Sequence, residues 1–226
     1  MAMNILVFGP NGSGKGTQGA IIQKRFDVPH IESGALFREH ISQGTDLGKQ
    51  AKAFTDRGDL VPDSITVPMM IEYLQRPAFA GGWILDGFPR SKPQAITLAD
   101  CLREANISID YVIEIVLDRD IARLRITGRR LCEHDNNHPN HIAFEAIKPV
   151  EVEGRLVCRV CGGNLLSRPD DQDSAAINKR HDIYYDESTG TMAAIRYFQQ
   201  AQCPRVIIVD GSKPIDEISQ AILAQI

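Results

Sequence analysis

The apolar run at residues 4–8 passes without a break into Gly9-Pro10-Asn11-Gly12-Ser13-Gly14-Lys15-Gly16-Thr17, and this junction limits the fold more than any other stretch. A buried strand that ends in glycines and turns directly into a helix aims backbone N–H groups, a positive helix end and one lysine at a single point. The spacing G-x-x-x-x-G-K is that of a phosphate-binding loop. Gly16 stands where such loops usually carry Ser or Thr, so Thr17 is the hydroxyl expected to face Mg²⁺.

Further strand-like runs at 28–31, 83–85, 111–117 and 206–209 are separated by stretches with helical patterning. That alternation predicts an α/β fold of the phosphate-loop type, a parallel sheet flanked by helices. Ligands of such sheets sit beyond the C-terminal strand ends. Each run is followed there by polar or glycine-rich turns: Gly9 to Thr17, Glu32-Ser33-Gly34, Asp86-Gly87-Phe88-Pro89-Arg90, Asp118, and Asp210-Gly211-Ser212-Lys213-Pro214. Asp86, at the end of a buried run beside a phosphate loop, is a candidate Mg²⁺ partner.

Composition excludes some classes. With 226 residues and a net charge of −4, the chain lacks the basic excess of a nucleic-acid binder, so a polyanion site must be a local cluster of cations. No run is long enough to span a membrane, and the N-terminus lacks the apolar region of a signal peptide. A cytoplasmic monomer is expected. Of five cysteines, Cys101 and Cys203 are expected to be buried thiols.

Candidate cations are Arg38, Arg90, Arg125, Arg129, Arg168 and Arg180. The i, i+4 spacing of Arg125 and Arg129 predicts one helix face converging on one anion. Arg168 precedes Asp170-Asp171, where a carboxylate could orient its fork.

Together these residues resemble the adenylate kinase family, whose phosphate loop reads G-x-P-G-x-G-K-G-T and whose other motifs are S/T-G-D-x-x-R and D-G-F-P-R-x-x-x-Q. Here Gly9 to Thr17, Ser33-Gly34-Ala35-Leu36-Phe37-Arg38 and Asp86-Gly87-Phe88-Pro89-Arg90-Ser91-Lys92-Pro93-Gln94 stand in those places, with Asn11 and Ala35 as departures. The resemblance spans the chain. It implies reversible, Mg²⁺-dependent phosphoryl transfer from ATP to AMP, giving two ADP. By position, Gly12, Ser13, Gly14, Lys15, Gly16 and Thr17 would cradle the ATP phosphates, and the Lys213 carbonyl would meet its adenine. Ser33, Arg38, Val61, Gly87, Arg90 and Gln94 would hold AMP. Arg125, Arg129, Arg168 and Arg180 would surround the transferring group. No general base is required, and His181 is expected in a surface or capping role. A kinase for UMP or CMP, and a non-catalytic nucleotide-binding module, are the competing readings.

Between the two halves of this machinery the composition changes. Cys132, Glu133, His134, His138, His141, Cys158 and Cys161 fall in a segment with no long apolar helix, so something other than a hydrophobic core must hold it. Cys158-Arg159-Val160-Cys161 followed by Gly162-Gly163 has the form of a metal knuckle, and Cys132 is the natural third ligand. The fourth is His134, His138, His141 or Glu133; the reach from Cys132 favours His138, with His141 next. A Cys₃His set suits Zn²⁺, and also admits Co²⁺ or Fe²⁺. The expected division is therefore a core of residues 1–131 and 166–226, including an AMP-binding helical segment at 33–76, and a metal-binding lid at 132–165.

Overall fold

The computed structural model describes residues 2–57, 59–167, 171–201 and 204–226. Strands β1 (Met3–Phe8), β2 (His30–Glu32), β3 (Gly82–Asp86), β4 (Tyr111–Val116) and β9 (Arg205–Asp210) form one parallel sheet in the order β2-β3-β1-β4-β9. Residues 4–8 of the central strand are all buried, because helices cover both faces of the sheet. Alternation sorts them: Leu6 and Phe8 join Trp83, Leu85 and Val112 on one face, while Ile5 and Val7 join Ile84, Ile113, Ile115 and Ile207 on the other. Helices α5 (Lys92–Glu104) and α8 (Thr191–Gln200) cover the first face through Leu98 and Phe198. The second is covered by α1 (Lys15–Phe26) and α9 (Ile215–Leu223) through Ile22, Ile218 and Ile222.

Strand order reverses on either side of β1, which places a crevice at its C-terminal end. Glu32 and Asp86 are register partners at that edge. Three helices, α2 (Ser33–Ser42), α3 (Asp46–Thr55) and α4 (Asp63–Leu74), stand between β2 and β3 around a small core of Phe37, Ala51 and Val61. Gly48 lets α3 approach α2, since a Cβ there would overlap the His40 carbonyl.

Helix α6 (Arg119–Thr127) leads into a small β-rich insertion. Strand β5 (Leu131–Cys132) pairs antiparallel with β8 (Leu165–Leu166), and between them β6 (Val150–Val152) and β7 (Arg155–Val157) form a hairpin. Its turn places Glu153 and Gly154 at φ of 51° and 76°, both in the left-handed region. Val150, Val152 and Leu156 of this hairpin are each 48% exposed, so the insertion has little apolar core of its own. The chain returns to the core through α7 (Ser174–Tyr185), capped by Asp173, whose side chain accepts from the N–H groups of Ala175 and Ala176.

One expectation changes. Cys101 is only partly buried on α5, and Cys203 lies outside the described residues. Among the described residues no helix is long and apolar enough to cross a membrane.

Candidate active site

A cleft of about 850 Å³ opens at the C-terminal end of β1 and is lined by the glycine loop, the β3 end, α2, α7, the 211–214 turn and the insertion. Gly12 has φ of 91°, and a Cβ there would meet the Ala122 carbonyl oxygen at 2.5 Å. Only glycine fits. Gly14, at φ of 92°, caps α1 without a side chain, and no acidic residue occupies the first turn. The N–H groups of that turn therefore face the cleft with the positive end of the helix behind them.

Lys15 folds back to the loop, Nζ donating to the Pro10 carbonyl at 3.2 Å. Burial lowers its pKa, as do Arg90 and Arg129, against the opposing pull of Asp86 and Glu32. Burial alone would raise the Asp86 carboxyl, yet Lys15, His30 and Arg90 hold it below the ordinary carboxylate value. His30 Nε2 lies 3.6 Å from Asp86 Oδ2 on the sheet floor. Ser13 Oγ is buried in the loop without a hydrogen-bond partner, as a group awaiting an acceptor would be.

A second set of cations lies across the cleft. Arg90 Nε donates to the Gly87 carbonyl at 2.7 Å, and Ser33 Oγ donates to the same oxygen at 2.7 Å. Gln94 is held at both ends of its amide: Oε1 accepts from the Arg90 N–H at 2.7 Å and Nε2 donates to Asp63 Oδ1 at 2.6 Å. A Cβ on Gly34 would stand 3.1 Å from Arg38 Nη1 and 3.8 Å from Arg90 Nη2, so the two guanidinium groups meet over that glycine. Burial first, then Arg180 and Arg38, pulls Arg90 down to about 10. Cations forced together in this way favour a dianion between them. Val61 is buried, its carbonyl accepting from Thr66 Oγ1 at 3.0 Å, and it lines the cleft with Phe37.

Between the two walls stand the remaining arginines. Arg125 Nη1 donates to the Gly211 carbonyl at 2.7 Å and Nη2 to Ser212 at 3.4 Å, tying α6 to the turn that carries the exposed Lys213. Arg129 does not share the Arg125 helix face. Helix α6 ends at Thr127, and the C-cap Gly128 packs against the His141 ring where a Cβ would collide. Arg129 instead pairs with Asp171, Nε to Oδ2 at 3.0 Å and Nη2 to Oδ1 at 2.8 Å. Arg180 lines the cleft from α7. Arg168 lies outside the described residues. His181 is fully buried, its Nε2 3.4 Å from the Asn11 carbonyl, so it props the glycine loop from behind; the surface role expected of it is corrected.

In the insertion, ligand atoms of Cys132, His138, Cys158 and Cys161 lie within 4.8 Å of one another. A tetrahedron built on Zn–S bonds of about 2.3 Å has edges of about 3.8 Å, so the four atoms fit the ion. Two edges are shorter: Cys132 Sγ to Cys161 Sγ is 3.3 Å and Cys158 Sγ to His138 Nδ1 is 3.5 Å. The knuckle closes through the Gly162 N–H to the Cys158 carbonyl at 2.8 Å, with Gly162 at φ of 74°. Burial opposes ionisation of Cys158, but the Asn140 amide and the N–H groups of Cys161 and Val160 bring its thiol down to about 6. His141 is occupied elsewhere: Nδ1 accepts from the Ala143 N–H at 3.1 Å and Nε2 donates to the Leu124 carbonyl at 3.2 Å. His134 stands on the exposed side of Cys161, outside the group.

The family model for adenylate kinase matches residues 7–203. The chain is 68% identical over 226 residues to the adenylate kinase of Desulfotalea psychrophila, covering all of both chains. It is 56% identical over 228 residues to that of Desulfosudis oleivorans and 57% over 227 to that of Nitratidesulfovibrio vulgaris, each covering 99% of this chain and all of the relative. The chain belongs to the adenylate kinase family. Membership carries the class of chemistry, Mg²⁺-dependent phosphoryl transfer between ATP and AMP, and the Cys₃His cluster makes this a family member with a structural metal in its lid.

Within the adenylate kinase frame, three side chains were given no site role by the sequence, His30 under Asp86, Glu32 beside it and Asn137 on the lid, and Asp171, expected to orient the Arg168 fork, is found on Arg129. The acidic pair at 170–171 signalled a fork, but not which arginine it would hold. For the others the pattern held no local signal.

Proposed function

We propose that this cleft performs reversible phosphoryl transfer from ATP to AMP with its residues divided between two nucleotides. ATP lies on Gly12, Ser13, Gly14, Lys15, Gly16 and Thr17, with Lys15 on the β- and γ-phosphates, Arg125 beside them and its adenine at the Lys213 carbonyl. AMP lies on Ser33, Arg38, Val61, Gly87, Arg90 and Gln94, its phosphate between the Arg38 and Arg90 guanidinium groups and its base edge at Gln94. Arg129, Arg168 and Arg180 close around the transferring group. The observation that carries this division is the pair of facing anion walls in one cleft: the open first turn of α1, and the Arg38 and Arg90 guanidinium groups that meet over Gly34.

Transfer of this kind passes through a loose transition state with charge spread over the equatorial oxygens, so alignment and positive charge do most of the work. The attacking oxygen belongs to the AMP phosphate, whose second pKa of about 6 leaves it ionised at neutral pH without a base. Lys15 and the arginines offset the repulsion between two polyanions and bring the attacking and leaving oxygens into line. Thr17 and Asp86 are the residues that would hold Mg²⁺, directly or through water; bound there, the ion neutralises charge on the β and γ oxygens. Asp86 suits this because its neighbours keep it ionised. Lid residues Asn137 and Phe144 line the same cleft and shut out the water that would hydrolyse ATP.

The division into a core of 1–131 and 166–226, an AMP-binding segment at 33–76 and a lid at 132–165 belongs to the same proposal. So does a cytoplasmic setting, supported by thiols that are free of disulfides at Cys101, Cys132, Cys158 and Cys161. The test is to incubate the protein with Mg-ATP and each nucleoside monophosphate and to follow ADP. AMP is expected to be the preferred acceptor. Equal or greater turnover with UMP or CMP overturns the assignment of Gln94 and its neighbours.

A further inference from the structure

The loop between metal ligands Cys132 and His138 does more than span them. Its tip is tightened by the Asn137 N–H donating to Asp135 Oδ1 at 2.8 Å and the His138 N–H donating to the Asp135 carbonyl at 3.1 Å. This points Asn137 down into the cleft. There its Nδ2 donates to Glu32 Oε1 at 3.0 Å, across 105 residues of sequence. Its backbone carbonyl accepts a long hydrogen bond from Thr17 Oγ1 at 3.4 Å. Its Oδ1 lies against Gly16, where a Cβ would overlap it.

We infer that Asn137 is a positioning residue that latches the lid to the Mg²⁺ side of the phosphate loop, with Glu32 as its anchor and Thr17 as the group it orients. A hydroxyl that donates its hydrogen bond to the Asn137 carbonyl has its oxygen lone pairs left for a cation in the cleft. Closing the lid therefore sets the direction of the Thr17 oxygen, and a bound cation on Thr17 polarises the hydroxyl and strengthens its bond to the lid. Glu32 is well placed as anchor: it sits on the rigid end of β2 in register with Asp86, and its charge reaches Lys15. A bond from an amide to a carboxylate is stronger than one between neutral groups. Gly16 completes the latch by leaving the space that the Asn137 side chain fills. Because Asn137 adjoins His138, the metal that rigidifies the lid also fixes the latch at the right height.

The inference rests on assigning residues 12–17 to ATP, and it separates from that reading: loss of AMP-dependent ADP formation in the unaltered protein would refute the assignment, whereas the latch is tested by variants of a working enzyme. Asn137→Ala removes the amide that holds Glu32, and Asn137→Asp sets a carboxylate against Glu32. The latch predicts a KM for Mg-ATP raised about 5-fold by Asn137→Ala and at least about 20-fold by Asn137→Asp, with the KM for AMP changed less than about 2-fold. Adding Glu32→Gln to Asn137→Asp restores a donor–acceptor pair and should recover most of the loss. Calorimetric Mg-ATP binding and lid-to-core energy transfer should follow the same order without turnover, and lid metal content confirms that each variant is folded. Should Asn137→Asp lose its metal, the cycle of Asn137→Ala, Glu32→Ala and the double variant answers the question, since a latch requires the two losses to be strongly non-additive. Equal effects of Asn137→Ala and Asn137→Asp, no rescue by Glu32→Gln, additivity in the cycle, or equal shifts in both KM values would each overturn it.

Discussion

The central sheet and the lid are held by different physics. Ile5, Leu6, Ile84, Leu85, Val112 and Ile113 are wholly buried, sandwiched between helices on two faces. The lid leaves Val150, Val152 and Leu156 of its hairpin half exposed and gathers three thiols and an imidazole beside it instead. A segment of that size cannot bury enough apolar surface to offset its chain entropy, and a metal with four protein ligands supplies what the core lacks. The consequence is a rigid floor for two nucleotides and a cover whose order depends on one ion. The Arg129–Asp171 pair, the latter residue 2% exposed, clamps the two chain crossings at the lid's base, and lid and core touch at the Gly128–His141 contact and where Asn137 meets Glu32 and Thr17.

Substitutions should expose this division in descending order of effect. Lys15→Met should leave the floor folded and remove the charge proposed to meet the transferring phosphate, so kcat should fall about 10³-fold with an unchanged melting curve. A truncation deep in the sheet acts in the opposite sense. Leu6→Ala should lower global stability by about 3 kcal/mol in denaturant titration, and activity should then track the folded fraction. Asp171→Ala, at the junction, leaves the half-buried Arg129 guanidinium without its fork and should cost about 2 kcal/mol. Val152→Ala in the lid hairpin should change stability by less than about 0.5 kcal/mol. If Val152→Ala proves as costly as Leu6→Ala, the lid has an apolar core after all.

Acid should also part the two regions. The Cys158 thiol is brought from an ordinary 9.0 down to about 6 in the fold, so the stability its thiolate contributes is full above 9.0 and is lost as pH falls through about 6. Protons compete with the metal for the same sulfur. Between pH 7 and pH 5 metal release measured with a colorimetric chelator should rise steeply while the far-ultraviolet signal of the sheet and helices holds.

The sheet was legible because strands buried on both faces read as unbroken apolar runs, and the ligand-bearing turns follow from where parallel strands end. Strand β2 begins at His30, two residues later than its apolar run, since Pro29 has no N–H to give and offers only its carbonyl, to the Ile84 N–H at 2.8 Å. The Arg125–Arg129 spacing misled for a local reason: Gly128 ends the helix between them, a signal present in the sequence and outweighed by periodicity. The four metal ligands could be counted from knuckle spacing, but His141 is set aside only by its own hydrogen bonds to Ala143 and Leu124. The pairing of Glu32 with Asn137 was invisible, because two residues 105 apart with no repeating pattern are joined by tertiary structure alone.

The most direct test of this two-part account is hydrogen exchange on the protein before and after its lid metal is stripped by a chelator. Amides of residues 132–165 should lose protection by orders of magnitude, while those of residues 3–8 and 82–86 keep theirs. Loss of protection throughout the chain, or none within the lid, would contradict it.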